Sequence, residues 1–103
     1  MYYTILESTG FKKQVDQIWN TAERLAFFTY LAHHPLAGDV IPGSGGLRKI
    51  RWGGTGKGKR GGVRVIYYNL LTDGCIMALA LYAKNERENL SPNALHKLQG
   101  EKP

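Results

Sequence analysis

The sequence predicts an α+β domain in which a mostly antiparallel, twisted sheet packs against an N-terminal helical hairpin, in the order β-α-α-β-β-β-α. Three observations carry this. Two helix-period patterns follow each other before residue 34, β-branched and aromatic runs with a period of two dominate the second half, and Thr72-Asp73-Gly74 joins two of those runs as a hairpin signal. At 103 residues with 43% hydrophobic content, the chain suffices for one modest core, so residues 1–103 are expected to form a single domain.

Taken in order, Tyr3 to Leu6 reads as a first strand that ends at the polar stretch Glu7-Ser8-Thr9-Gly10. Phe11, Val15, Ile18 and Trp19 then recur on one face of a helix. Asn20 and Glu23 have capping-box spacing, so a second helix begins there and runs to Ala32 or His33 before Pro35 stops it. Leu36 to Gly46, rich in glycine, reads as a loop leading into a strand from Leu47 to Trp52. The alternation of a strand places Lys49 and Arg51 on one face of it, with Arg48, Ile50 and Trp52 on the other. After a glycine-rich basic loop from Gly53 to Gly62, Val63 to Leu70 forms the third strand, with Arg64, Ile66 and Tyr68 sharing a face. The apolar run Cys75 to Tyr82 should pair antiparallel to it, in a central position buried on both faces. Ser91-Pro92 opens a last short helix with Leu95 and Leu98 inward, and the tail from about residue 98 is expected to be loosely ordered.

The formal charge of +6 is unevenly placed. Residues 1–47 hold three basic and four acidic side chains, and residues 73–103 hold four of each. Between them lie Arg48, Lys49, Arg51, Lys57, Lys59, Arg60 and Arg64 with no acidic residue, so the whole excess sits in one segment. Such a concentration draws polyanions, because each cation that neutralises a phosphate releases condensed counterions. Nucleic acid is the natural partner, and a solvated basic loop that aids solubility is the plain alternative.

Other classes fit poorly. Met1-Tyr2-Tyr3-Thr4 has no export-signal pattern, and no apolar run approaches a bilayer span, so a soluble cytoplasmic protein without a membrane partner is expected. The single Cys75 and the three histidines His33, His34 and His96 lack metal-site spacing, so neither metal nor cofactor is expected. Gly56-Lys57-Gly58-Lys59-Arg60-Gly61 satisfies G-x-G-x-x-G, but a strand follows where a nucleotide-binding loop needs a helix. It remains a flexible basic loop suited to phosphate contacts.

The constellation that could perform chemistry is spread over neighbouring strands: Lys49 and Arg51, then Arg64, then Tyr82 and Lys84. RNA supplies its own nucleophile, the 2′-hydroxyl. Cleavage then requires a base to take its proton, an acid to protonate the departing 5′-oxygen, and cations to stabilise the pentacovalent phosphate. Arginine suits the last role through its planar fork, and a lysine crowded by cations can serve as a base. Plainer readings stand beside these. Arg48, Lys49 and Arg51 could face solvent, Tyr67, Tyr68 and Tyr82 could be core aromatics, and His33 and His34 could simply complement a helix C-terminus. Cys75 reads as a small buried apolar residue, and Trp19 and Phe28 as helix core.

The ordered motifs Gly38-Asp39-Val40-Ile41-Pro42-Gly43, Gly46-Leu47-Arg48-Lys49-Ile50-Arg51, the run from Gly56 to Tyr68, and Tyr82-Ala83-Lys84-Asn85-Glu86 resemble the HigB-type branch of the RelE/ParE superfamily of type II toxin-antitoxin toxins, nearly from end to end. The resemblance implies a RelE-like fold and a metal-independent endoribonuclease that cuts translated messenger RNA in the ribosomal A site and arrests growth. It also implies a cognate helix-turn-helix antitoxin, HigA-like, whose complex with the toxin binds operator DNA. By carry-over, the family's basic positions fall on Lys49, Arg51, Arg64 and Lys84; catalysis is expected of these together with Tyr82, and contacts to RNA or the ribosome of Arg48, Lys57, Lys59 and Arg60. The better-known RelE pattern has an arginine after that last lysine and a tyrosine a few residues on. Here those positions hold Asn85 and, approximately, Ser91, which leaves the assignment of acid and base open. Two other functions remain compatible with the same pattern: a non-enzymatic inhibitor of DNA gyrase, as in the related ParE branch, and a non-toxic RNA- or ribosome-binding module.

Overall fold

The computed structural model describes residues 2–53, 62–83 and 90–101. The elements are β1 (Thr4–Glu7), α1 (Thr9–Ile18), α2 (Thr21–His33), β2 (Asp39–Val40), β3 (Arg48–Trp52), β4 (Val63–Leu70), a 3-10 turn (Leu71–Asp73), β5 (Cys75–Ala83) and α3 (Pro92–Gln99). The mixed α+β class is as the sequence predicts, with one strand more than expected. Asp39–Val40 lies inside the segment read as loop, and it pairs antiparallel with Lys49 and Arg48. Two residues are too few to display a period of two, so nothing in the pattern marks β2.

Local chemistry sets the helix ends. Ser8 caps α1 by accepting from the Phe11 backbone N–H, and Ser91 caps α3 in the same way at Ala94, with Pro92 as the first helical residue. The Asn20 and Glu23 side chains form the reciprocal capping box that opens α2, each accepting a backbone N–H of the other. His33 closes that helix with its Nδ1 2.8 Å from the Thr29 carbonyl.

The strands form one sheet in the order β1-β5-β4-β3-β2. β1 runs parallel to β5 and the other pairs are antiparallel. The middle of the sheet is therefore β4, whereas β5, expected to be central, lies one place out and is flanked on both sides. On one face, Phe11, Val15, Trp19, Phe27 and Leu31 of the helical hairpin pack against Ile50, Val63, Val65, Tyr67, Ile76, Ala78 and Leu81. On the other face, Leu98 of α3 packs with Leu47, Ile66, Leu79, Ala80 and Tyr82, with Leu90 and Leu95 against them. Cys75 differs from its expected buried state: at the first position of β5 it is half-buried, and its thiol donates toward the Asp73 carbonyl at 3.4 Å.

β5 changes the direction of its side chains midway. Ile66 and Tyr67, adjacent on β4, pair with Ala80 and Ala78, which leaves Leu79 as an extra residue, a β-bulge. Before the bulge Ile76 and Ala78 face the hairpin; after it Leu81 does, while Leu79, Ala80 and Tyr82 face α3. A bulge frees ladder groups that must find other partners. The Ser8 hydroxyl donates to the Leu79 carbonyl at 3.1 Å, and the Gln14 side-chain oxygen accepts from the Leu81 N–H at 3.1 Å. Helix α1 thus braces the irregularity.

The connection from α2 to β2 is fastened by Tyr67. Its hydroxyl accepts from the Gly38 N–H at 2.9 Å and donates to the Pro35 carbonyl at 2.8 Å. Only glycine fits at position 38, because an added Cβ would lie 2.9 Å from the Lys49 carbonyl oxygen and from the Tyr67 ring. Burial pushes the Tyr67 phenol above its ordinary value of 10.0. No helix among the described residues is long and apolar enough to cross a membrane.

Two outcomes follow. Gln14→Ala strands a buried N–H at the bulge and should cost about 1–3 kcal/mol in urea denaturation, and an unchanged midpoint would remove α1 as the brace. Tyr67→Phe removes both loop bonds and should cost a similar amount, about 1–3 kcal/mol. Since folding raises the phenol pKa, Tyr67 contributes stability that is complete below pH 10.0 and is lost as pH climbs above it. Tyr67→Phe should therefore flatten the alkaline limb of a stability-against-pH curve, and an identical limb in both proteins would refute the assignment.

Candidate functional site

Register brings the cationic residues together. Arg51 on β3 lies directly opposite Arg64 on β4, and Arg64 lies directly opposite Tyr82 on β5. Directly paired residues of an antiparallel ladder project to the same face, with Cβ atoms about 4.5–5.5 Å apart. Arg51, Arg64 and Tyr82 therefore form a continuous row across three strands, on the α3 face. Lys49 stands on that face two residues from Arg51, opposite Ile66. Tyr82 joins the row only because of the bulge, without which its side chain would turn toward the hairpin.

The row runs from solvent to interior. Arg51 is exposed, Lys49 half-buried, Tyr82 5% exposed and Arg64 only 1% exposed. A guanidinium held in that setting, beside another on the neighbouring strand, sharpens the local positive potential because water screens it poorly. What the row offers chemically is a fixed arginine fork with a phenol on one side and a second arginine on the other.

A cavity of about 680 Å³ opens beside this row, lined by Tyr30, Ala37, Asp39, Lys49, Ile50, Arg51, Trp52 and Arg64. It wraps around the edge of β3, which explains why consecutive residues from both faces of that strand reach it. Among the described residues, β2 pairs with β3 only at Arg48 and Lys49, so Arg51 and Trp52 have no β2 partner. Arg64 contributes to the lining although only 1% of it is exposed.

The remaining expected residues fall elsewhere. Arg48 occupies the opposite face, paired with Tyr67, and its Nη1 donates to the Gly38 carbonyl at 2.6 Å. It anchors the loop that Tyr67 also fastens. Lys57, Lys59, Arg60 and Lys84 lie outside the described residues. Among the described residues no group of three or more His, Cys, Asp or Glu side chains gathers as a metal site.

Sequence reasoning missed Tyr30, Asp39 and Trp52 as cavity residues. Trp52 had a usable signal, an aromatic ring next to Arg51 at a strand end. Tyr30 and Asp39 had none: Tyr30 reaches the cavity through the packing of α2 on Trp52, and Asp39 through the pairing of β2 with Lys49.

No family model matches the chain. Among solved structures it is similar to the E. coli toxin RelE, in the free state of a mutant with two arginines replaced by alanine. The TM-score is 0.60 at 14% sequence identity, over 85% of this chain and 90% of that one. The chain thus has the RelE fold.

Like charges placed directly opposite in a ladder destabilise it. Arg51→Thr, which removes one of the pair and supplies a good strand residue, should raise stability by about 0.2–1 kcal/mol. The gain should shrink with added salt. A loss of stability at low salt would mean that the Arg51–Arg64 opposition is compensated.

Proposed function

We propose that this chain is a ribosome-dependent messenger-RNA endonuclease toxin, held inactive in the cytoplasm by a cognate antitoxin. The single observation that carries this reading is the row Arg51, Arg64 and Tyr82, with Lys49 beside it, on one face of a RelE-fold sheet. The similar structure is described as a toxin, and its fold is the one this chain shares.

The chemistry assigned to the row uses only what RNA and these side chains bring. A base takes the proton of the 2′-hydroxyl, the 2′-oxygen attacks the adjacent phosphorus, and the bond to the 5′-oxygen breaks as an acid protonates it. The products are a 2′,3′-cyclic phosphate and a new 5′-hydroxyl. Arg64 is assigned to the phosphorane, because a rigid, buried guanidinium stabilises developing charge without reorganising. Arg51 and Lys49 neutralise the entering phosphates. Tyr82 lies directly opposite Arg64 on the neighbouring strand, and Lys84, two residues further along the sequence, is assigned to proton transfer. Lys57, Lys59 and Arg60, from the basic loop between β3 and β4, supply contacts to messenger or ribosomal RNA.

The same charge defines the partners. A segment of the antitoxin rich in carboxylates would neutralise the basic face, and the helix-turn-helix part of that partner, HigA-like, would carry the complex to operator DNA. Cleavage in the A site presents the RNA as a single strand, which suits an open cavity at a sheet edge.

The test is induction of the wild type and of Arg64→Ala in growing cells, followed by mapping of transcript ends. The wild type should arrest growth and cut inside translated frames, and Arg64→Ala should lower cutting by about 100-fold or more while remaining folded. Arrest with intact transcripts and a loss of plasmid supercoiling would overturn the nuclease reading.

A further inference from the structure

We infer that the cavity at the end of β3 is a nucleobase subsite, in which one unstacked base of a single-stranded RNA lies against the aromatic wall of Trp52 and Tyr30 while its phosphate meets the exposed Arg51, with the buried Arg64 adding its charge from behind. The inference rests on the function proposed above for its substrate class and adds to it the place where a base is read.

The wall is built for contact. The Tyr30 and Trp52 rings lie 5.0 Å apart at 41°, and Phe27 meets the Trp52 indole edge-on at 5.3 Å and 72°. Phe27 is fully buried, so it fixes the indole from within, whereas Trp52 is half-buried and Tyr30 remains 38% exposed. A large aromatic ring left in water beside a cationic cavity is not required by the core. A pre-oriented ring loses little conformational entropy on binding, and any base can stack on it because every base has a π-face.

The charges give the cavity a direction. Arg51 of β3 and Arg64 of β4 line the cavity from the α3 face, Asp39 belongs to β2, and Trp52 and Tyr30 reach the cavity from the hairpin face. A phosphate is drawn toward the arginines and repelled by the Asp39 carboxylate, so a nucleotide enters with its base on the aromatic side. The volume of about 680 Å³ is within the roughly 300–1,000 Å³ of sites that enclose small molecules. A peptide strand added beside Arg51 and Trp52, which no described strand pairs on the β2 side, is the other occupant of this shape, but backbone pairing would make no use of two arginines and an aromatic wall.

The experiment uses the full chain carrying Trp19→Phe, which leaves Trp52 as the only tryptophan. The probes are a 2′-O-methyl RNA hexanucleotide, which cannot be cut, and its abasic counterpart. The hexanucleotide should quench Trp52 fluorescence and the abasic chain should not. In filter binding, Tyr30→Ser and Trp52→Leu should weaken the hexanucleotide about 10-fold and leave abasic binding within about twofold, with Trp52→Phe recovering most of the loss. In ribosome-dependent cleavage the same variants should still cut, with an altered distribution of bases at the cut sites. Because Trp52 touches the core, the surface variant Tyr30→Ser decides the case if Trp52→Leu unfolds. Cleavage by the wild type with no quenching and an unchanged cut pattern in Tyr30→Ser would overturn the subsite and assign the edge to a peptide. Base-dependent quenching in a protein that cuts no RNA would uphold the subsite and remove the nuclease reading instead.

Discussion

The extra residue at Leu79 is the constraint on which the cationic row depends. A strand buried on both faces must alternate strictly, and β5 satisfies the hairpin core with Ile76 and Ala78 on that schedule. Kept without interruption, the same schedule would send Tyr82 into the hairpin and Leu81 away from it. The bulge resets it, so that Leu81 fills the hairpin core and Tyr82 arrives opposite Arg64. Bulges commonly re-aim a side chain near a functional site. In this chain the cost in ladder hydrogen bonds is met by Ser8 and Gln14, residues whose helix has no other part in the row.

Much of the architecture was legible in the sequence because it rests on local rules. The Asn20 and Glu23 box, the Ser91-Pro92 start and the period of β3 and β4 each follow from chemistry within a few residues, and each was found where expected. The shared face of Arg51 and Arg64 needed only alternation and correct pairing. What the sequence withheld depends on distant contacts. β2 exists because Tyr67 and Arg48 hold the loop against the sheet, across separations of 29 and 10 residues. The bulge leaves no mark in an unbroken apolar run, since Leu79 and Ala80 suit either face. Alternation set Arg48 on the face opposite Lys49 and Arg51, but its hydrogen bond to the Gly38 carbonyl, which makes it a loop anchor, left no mark in the sequence.

The row also sets stability against use. Arg64 is almost withdrawn from water, and Arg51 is placed opposite it, an arrangement that a sequence selected for stability alone would avoid. Apolar packing elsewhere on both faces of the sheet supplies stability that offsets this cost. Ile66, Leu79 and Leu98 close one side, and the hairpin core fills the other. A scaffold packed on both faces can hold the two arginines opposite each other, with Arg51 at the surface and Arg64 buried behind it.

The bond from Ser8 to Leu79 spans 71 positions of the chain, and β1 closes the sheet by pairing in parallel with the strand that carries it. Parallel closure over such a distance carries a large loop entropy and is slow to nucleate. During synthesis the N-terminal helices can form early, but the complete row has to wait until the last strand has emerged and docked between β1 and β4. A nascent fragment that stops short of residue 82 therefore carries Arg51 and Arg64 without the phenol that the finished sheet sets opposite Arg64.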